Sequence, residues 1–362
     1  MTVDAVGGVW RYALELARGL ASAGTEVVLA VMGPPAMPEQ LAEAAAIDGV
    51  SLIQGSFDLE WMPGADEDVL RAGAWLKELE ATYAPDLVHL NGYAHAALPW
   101  HAPVVVVAHS CVLSWWRAVH GDEAPVEWDG YRRRTAAGLR AADLVVVPTH
   151  AFLRDIQSVY GPGISARVIG NGRSASNLEA IDKQPMVLAA GRIWDAAKNL
   201  KMLPIAAKDL PWPVCVAGPG APEQGDGAAL AGNLRWIGAL SPAELSLWYA
   251  QAAIFVAPSR YEPFGLAALE AALAGCALVL GDISTLRELW TGAALFVPPD
   301  DCEQLAHVLG VLIADHELRA TFGRLARQRA ATFSAARMTA AYQNAYAEVI
   351  ASHTGAIRAL VP

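Results

Sequence analysis

Short apolar runs recur along this chain, each followed by a turn marked by glycine, proline or a small polar residue and then by a stretch with helical spacing. Residues 26–32, 86–90, 104–108, 144–147, 186–190, 214–217, 234–238 and 253–257 are of this kind, with helical stretches such as 66–83 and 149–160 between them. Strands this short and this apolar are buried on both faces, and their alternation with helices is the mark of a parallel α/β sheet. At 362 residues the chain is long enough for two such domains, and 54% hydrophobic residues can fill a core in each.

One unit carries unusual chemistry. After the run 253–257, Pro258 and Pro263 punctuate a loop that holds Glu262, and a helix follows in which every position from Leu266 to Ala274 except Glu270 is Leu or Ala. Leu266, Leu269 and Leu273 form one stripe, and Glu270 lies within it. A carboxylate buried there costs several kcal/mol unless a donor reaches it, so Glu270 requires either a basic partner or a ligand bearing hydroxyls, such as a ribose diol. Glu262 precedes a helix N-terminus, whose free amides favour anions.

Three other turns bring polar groups to strand or helix ends. Gly7-Gly8 opens an amphipathic helix with Val9, Tyr12, Leu16 and Leu20 on one face. Paired glycines either let amides approach an anion or form a tight turn with no ligand. His109 follows the run 104–108, at the strand end where open α/β sheets bind ligands, although a lone histidine there is more often structural. Arg192 and Lys198 lie in the turn after 186–190, spaced so that both can converge on one anion; an Arg–Glu pair and a solvated Lys have the same appearance in sequence.

The run from Glu262 to Gly275 resembles the E-x7-E signature of the retaining glycosyltransferases grouped as family 4, including Phe264-Gly265 after the first Glu and Ala271-x-x-x-Gly275 after the second. Gly191-Arg192-x5-Lys198-Asn199 is similar to that family's G-R-x5-K-N. The resemblance implies the α/β GT-B fold, two Rossmann-like domains with parallel sheets facing a cleft. Residues 1–172 would be the acceptor-side domain, 173–333 the nucleotide-sugar-binding domain, and 334–362 a helix crossing back to the first. It implies a hexosyltransferase moving a sugar from a nucleoside diphosphate donor to a glycan, lipid or small-molecule acceptor, with no metal and no cofactor. Arg192 and Lys198 would meet the diphosphate together with amides near Phe264, Gly265 and Leu266. Glu262 would hold the donor sugar, Glu270 the ribose, Gly7 and Gly8 would lie beside the diphosphate, and His109 would face the sugar and acceptor. Glu262 and His109 are thus the candidate catalytic residues. In that family a full first strand precedes the glycine loop. Only Met1-Thr-Val is available here against the ~5–6 residues of an ordinary strand, so the first strand reads as truncated, with the true start upstream. The rival readings are another GT-B enzyme, such as a nucleotide-sugar epimerase, and a nucleotide-sugar-binding protein without transferase activity.

A net charge of −11 argues against a nucleic-acid partner, which requires a basic surface. The apolar runs fall far below the ~18–20 residues of a membrane span, and the N-terminus has no signal-peptide pattern. Cys111, Cys215, Cys276 and Cys302 show no zinc-ligand spacing and fit a reduced, cytoplasmic setting. Trp115, Trp116, Trp128 and Tyr131, interleaved with Arg117 and Arg132 to Arg134, either line an acceptor site with peripheral membrane contact or pack conventionally beneath a solvated basic face.

Overall fold

In the computed structural model, which describes residues 1–174, 182–220 and 233–360, each of these apolar runs is a strand, and every strand pairing within the sheets is parallel. Of the polar connection expected near 172–184, residues 175–181 lie outside the described residues. Contacts divide the chain into two units. One comprises Met1–Arg117, Asp122–Gly172 and Ala335–Pro362, the other Arg173–Ser334 with the short segment Ala118–Gly121.

The first unit contains β1 (Thr2–Asp4), β2 (Val27–Met32), β3 (Val50–Gln54), β4 (Val88–Leu90), β5 (Val104–Val107), β6 (Leu144–Val147) and β7 (Ala166–Val168). They form two ladders, β1-β2-β3 and β4-β5-β6-β7. The chain moves outward through β1, β2 and β3, then begins again at β4, so the order reverses between β1 and β4. The expected short first strand is β1. It pairs with β2 over three residues, Thr2 opposite Ala30 to Asp4 opposite Met32, and the Met1 amino nitrogen donates to the Val28 carbonyl at 2.7 Å. On its other edge no ladder forms with β4. The side chain of Asn91, just past β4, spans the gap instead: Nδ2 donates to the Thr2 carbonyl at 2.6 Å, and the Asn91 amide donates to Thr2 Oγ1 at 2.9 Å.

The helix Gly8–Ser22 buries Tyr12, Leu16 and Leu20, and Met338, Tyr342 and Ala345 of the long helix Ala335–Leu360 share their core. Burial of each such side chain contributes about 1.5–3 kcal/mol. The helix Asp129–Ala141 comes so close to the Tyr93 carbonyl that a Cβ on Gly138 would lie 1.8 Å from that oxygen. Only glycine fits there. No described helix is long and apolar enough to cross a membrane.

The second unit has a single ladder of β8 (Gln184–Ala190), β9 (Val214–Ala217), β10 (Leu234–Gly238), β11 (Ala252–Ala257), β12 (Ala277–Gly281) and β13 (Leu295–Val297), in the order β10-β9-β8-β11-β12-β13. Here the order reverses between β8 and β11, which are directly paired. A reversal of this kind opens a crevice at the carboxyl ends of the two central strands, because the loops that follow them leave in opposite directions. In this unit those loops are 191–199 and 258–265.

Candidate active site

The loop after β11 is shaped by three residues without ordinary backbone freedom. Pro258 and Pro263 cannot donate, and Gly265 takes a left-handed φ of +90° before the helix Leu266–Leu273. The helix buries Ala268, Leu269, Ala271 and Ala272 against the sheet, which fixes the direction of its N-terminus. Glu262 is held from both ends: its carbonyl accepts from Thr285 Oγ1 at 2.7 Å, and its carboxylate accepts from Lys198 Nζ at 2.5 Å. Lys198, Ser259, Glu262, Gly265 and Leu286 line one small cavity at the strand reversal.

The loop after β8 is fastened to its neighbours through the backbone. Gly191 donates to the Ala217 carbonyl at 3.0 Å and Ile193 to the Pro219 carbonyl at 3.1 Å. A Cβ on Gly218 would lie 1.8 Å from the Gly191 carbonyl oxygen. Within the loop, Asp195 accepts from Arg192 at 2.7 Å and from the Ala197 amide at 3.0 Å. Burial opposes ionisation of Asp195, but the guanidinium, that amide and the nearby Lys198 outweigh it and hold its carboxyl below the ordinary value. Asn199 adopts a left-handed φ of 55°, and its Nδ2 donates to the carbonyls of Pro258 at 3.0 Å and Pro299 at 2.5 Å. Together with the Arg260 amide, which donates to the Ala197 carbonyl at 2.8 Å, this clamps the two loops so that Lys198 meets Glu262.

The expected cations therefore flank the same crevice, each beside a carboxylate of its own. Glu270 faces a basic partner in this structure, Arg173 at 3.0 Å, and its side chain retains 13% exposure. Phe264 is a core residue, edge-on to Phe333 at 5.6 Å, so only its backbone is available to a ligand. Leu266 is partly buried against the same core.

The remaining expected residues belong to the first unit. Gly7 has a left-handed φ of +82° and caps the helix that Gly8 begins; both are exposed. His109 follows β5. Its Nε2 lies 2.8 Å from Asn91 Oδ1, and the ring of Tyr12, from the helix opened by Gly7-Gly8, stands edge-on to it at 4.5 Å. Burial pushes His109 down to about 3, so the imidazole is neutral at physiological pH. Its surface is only partly covered, but protein surrounds it on the scale that governs solvation. Beyond it, three arginines of the aromatic segment meet carboxylates: Arg117 with Glu123, Arg132 with Asp129 and Glu123, and Arg134 with Asp66 of a distant helix. Trp115, Trp116 and Trp128 remain half-buried, and Tyr131 is buried.

Sequence reading alone missed Asp195, Asn199 and Asn91. Asp195 carried a signal, since it stands three residues after Arg192 in the same turn. Asn199 carried one too, because asparagine tolerates the left-handed region.

Comparison with known proteins finds relatives along nearly the whole chain. Residues 6–176 match the model of Glycosyltransferase Family 4 and residues 184–315 that of Glycosyl transferases group 1. Among curated relatives, a glycogen synthase of Mycobacterium tuberculosis is 27% identical over 90% of this chain and 86% of its own length. A D-inositol 3-phosphate glycosyltransferase of Xylanimonas cellulosilytica is 28% identical over 94% and 92%. Among solved structures, the sucrose-phosphate synthase of Thermosynechococcus elongatus superposes with a TM-score of 0.78 at 20% identity, covering 97% of this chain and 96% of the other. Anabaena HepE in complex with UDP-glucose superposes with a TM-score of 0.74 at 17% identity, covering 97% and 100%.

Proposed function

This chain belongs to the family 4 glycosyltransferases and is a transferase of the GT-B fold; we propose that it moves a sugar from a nucleoside diphosphate donor to a polyhydroxylated acceptor with retention of anomeric configuration. The observation that carries this reading is the Lys198–Glu262 contact of 2.5 Å in a cavity at the strand reversal, beside the N-terminus of the helix Leu266–Leu273. A diphosphate entering there takes Lys198 from Glu262 and Arg192 from Asp195, replacing a carboxylate with a more highly charged anion. Charge that develops on the leaving group is then met by two cations and by amides near Gly265, with no metal required. Glu262, released from Lys198, turns to hydroxyls of the donor sugar. Glu270 exchanges Arg173 for the ribose diol.

His109 takes the sugar-facing role. Retention follows from attack on the face that the diphosphate leaves, with the departing phosphate accepting the acceptor's proton; no protein nucleophile is assigned. The names of the relatives, which include glycogen and inositol 3-phosphate, support a polyhydroxylated acceptor. The test is to incubate the protein with UDP-glucose, GDP-mannose or ADP-glucose and labelled glycogen or inositol 3-phosphate, and to read the anomeric coupling of the product by NMR. An α-linked product from an α-linked donor is expected. A β-linked product would overturn retention, and release of an epimerised donor would overturn transfer.

A further inference from the structure

Asn91 makes four hydrogen bonds whose polarity can be worked out completely. Its Nδ2 donates to the Thr2 carbonyl at 2.6 Å, which fixes the orientation of the side-chain amide, because the reverse orientation would set two carbonyl oxygens against each other. Oδ1 therefore faces His89 Nε2 at 3.0 Å and His109 Nε2 at 2.8 Å. An amide oxygen only accepts, so both imidazoles must carry a proton on Nε2. Burial pushes both histidines down to about 3, which leaves each with one ring proton at neutral pH. For His89 the consequence is visible on its other nitrogen: Nδ1 lies 2.6 Å from Tyr346 Oη, and Tyr346 is the donor. For His109 the other nitrogen has no hydrogen-bond partner among the described residues, while the Tyr12 ring edge at 4.5 Å holds the imidazole plane.

We infer that Asn91 is a positioning residue that fixes His109 in its Nε2–H form, so that the histidine presents an unprotonated Nδ1 to a hydroxyl of the substrate. The substrate role of His109 rests on the function proposed above; its tautomer does not. In this form His109 accepts a hydrogen bond from the sugar or acceptor and has no proton to give at Nδ1. Asn91 also joins the edge of β1 to β4, so the same side chain that closes the gap in the sheet sets the hydrogen-bonding sense of the histidine beside it.

The experiment is long-range nitrogen–proton NMR on the full chain labelled at histidine nitrogen, recorded at mildly alkaline pH. In the wild type, Nε2 of both His89 and His109 should appear protonated and Nδ1 unprotonated. Asn91→Ala should release His109 into a mixture of tautomers and lower turnover in donor hydrolysis by about tenfold, with UDP affinity by calorimetry unchanged. Asn91→Asp keeps an acceptor facing both rings and should retain the Nε2–H form, although it loses the bond to Thr2. Thr2→Val weakens the bridge to β1 and should lower the melting temperature without moving either tautomer, which separates positioning from support of the sheet.

A wild-type His109 protonated on Nδ1, or an Asn91→Asp tautomer no different from that of Asn91→Ala, would overturn the assignment. An altered tautomer with unaltered turnover would overturn the acceptor role of Nδ1. Failure to hydrolyse UDP-glucose, GDP-mannose and ADP-glucose alike would overturn the donor reading and leave the tautomer to stand on the NMR signals.

Discussion

The two units reverse strand order in the same way and hold the reversal by opposite means. At β8/β11 the ladder is continuous, and the loops above it carry charged pairs, Arg192 with Asp195 inside one loop and Lys198 with Glu262 between the two. At β1/β4 the ladder is interrupted, and neutral groups hold it: Asn91 bonds across to Thr2, and His89 and Tyr346 extend the network behind Asn91, each donating or accepting in a fixed sense. A carboxylate beside a cation can give way to another anion with little loss, since the cation stays paired throughout. A neutral network has no such substitute, because losing one member leaves a buried polar group unsatisfied. On the function proposed above, one reversal would be open to exchange and the other fixed.

Glu262→Gln should break the exchange side most severely. Turnover is expected to fall by ~100-fold or more, the range for losing a group that acts on the sugar in the transition state. UDP or GDP affinity should hold steady or tighten, since Lys198 no longer has a carboxylate to leave. Calorimetry showing affinity lost in step with turnover would mean that the pair is a fixed support.

Lys198→Ala and Arg192→Ala come next, each expected to weaken nucleoside diphosphate binding ~10- to 100-fold, or about 1.4–2.7 kcal/mol. Nucleoside binding should scarcely change. Equal losses for both ligands would remove these residues from the phosphates.

The last test sharpens the permanent side. His89 and His109 sit at about 3 when folded, against an ordinary value of 6.5, so the unfolded chain takes up protons below pH 6.5 that the folded unit refuses. The stability these two histidines contribute is complete above 6.5 and falls as the pH drops toward 3, by at most about 1.4 kcal/mol per pH unit for each. The buried Met1 amine, lowered from 8.0 to about 5, adds a loss in the same structural unit that begins at higher pH. Native-state hydrogen exchange, corrected for intrinsic rates, should show β4, β5 and β6 opening more readily at about pH 5 than at about pH 7. β11 and β12 should change less. Equal change in both units would assign the acid sensitivity elsewhere.

These contrasts were unequally visible in the amino-acid order. The strands were legible because each is buried on both faces, so Val104–Val107 and Ala252–Ala257 read as apolar runs whatever their neighbours. The exchange site was legible because its parts lie within two short turns, where glycine and proline mark the loops and the charged residues fall at fixed spacing. The gap between β1 and β4 was not. Asn91 and Thr2 are 89 residues apart, and nothing local distinguishes an asparagine that ties two strands together from one that ends a strand in solvent. The partner of Glu270 was undecidable for the same reason: the apolar helix states that the carboxylate needs company, and Arg173, far away in sequence, supplies it.

The glycines that touch backbone carbonyls bear on how a mutational scan of this enzyme should be interpreted. Gly138 against Tyr93 and Gly218 against Gly191 leave no volume for even a methyl group, since the added carbon would stand 1.8 Å from an oxygen in each case. Alanine at either position should abolish activity as completely as loss of a charged site residue, while reducing the yield of folded protein. A map of intolerance alone would rank both glycines with Lys198 and Glu262. Plotting activity per folded molecule separates them, because substitutions at the glycines deplete the population of working enzymes, whereas substitutions at the charged pair leave the population intact and slow each member.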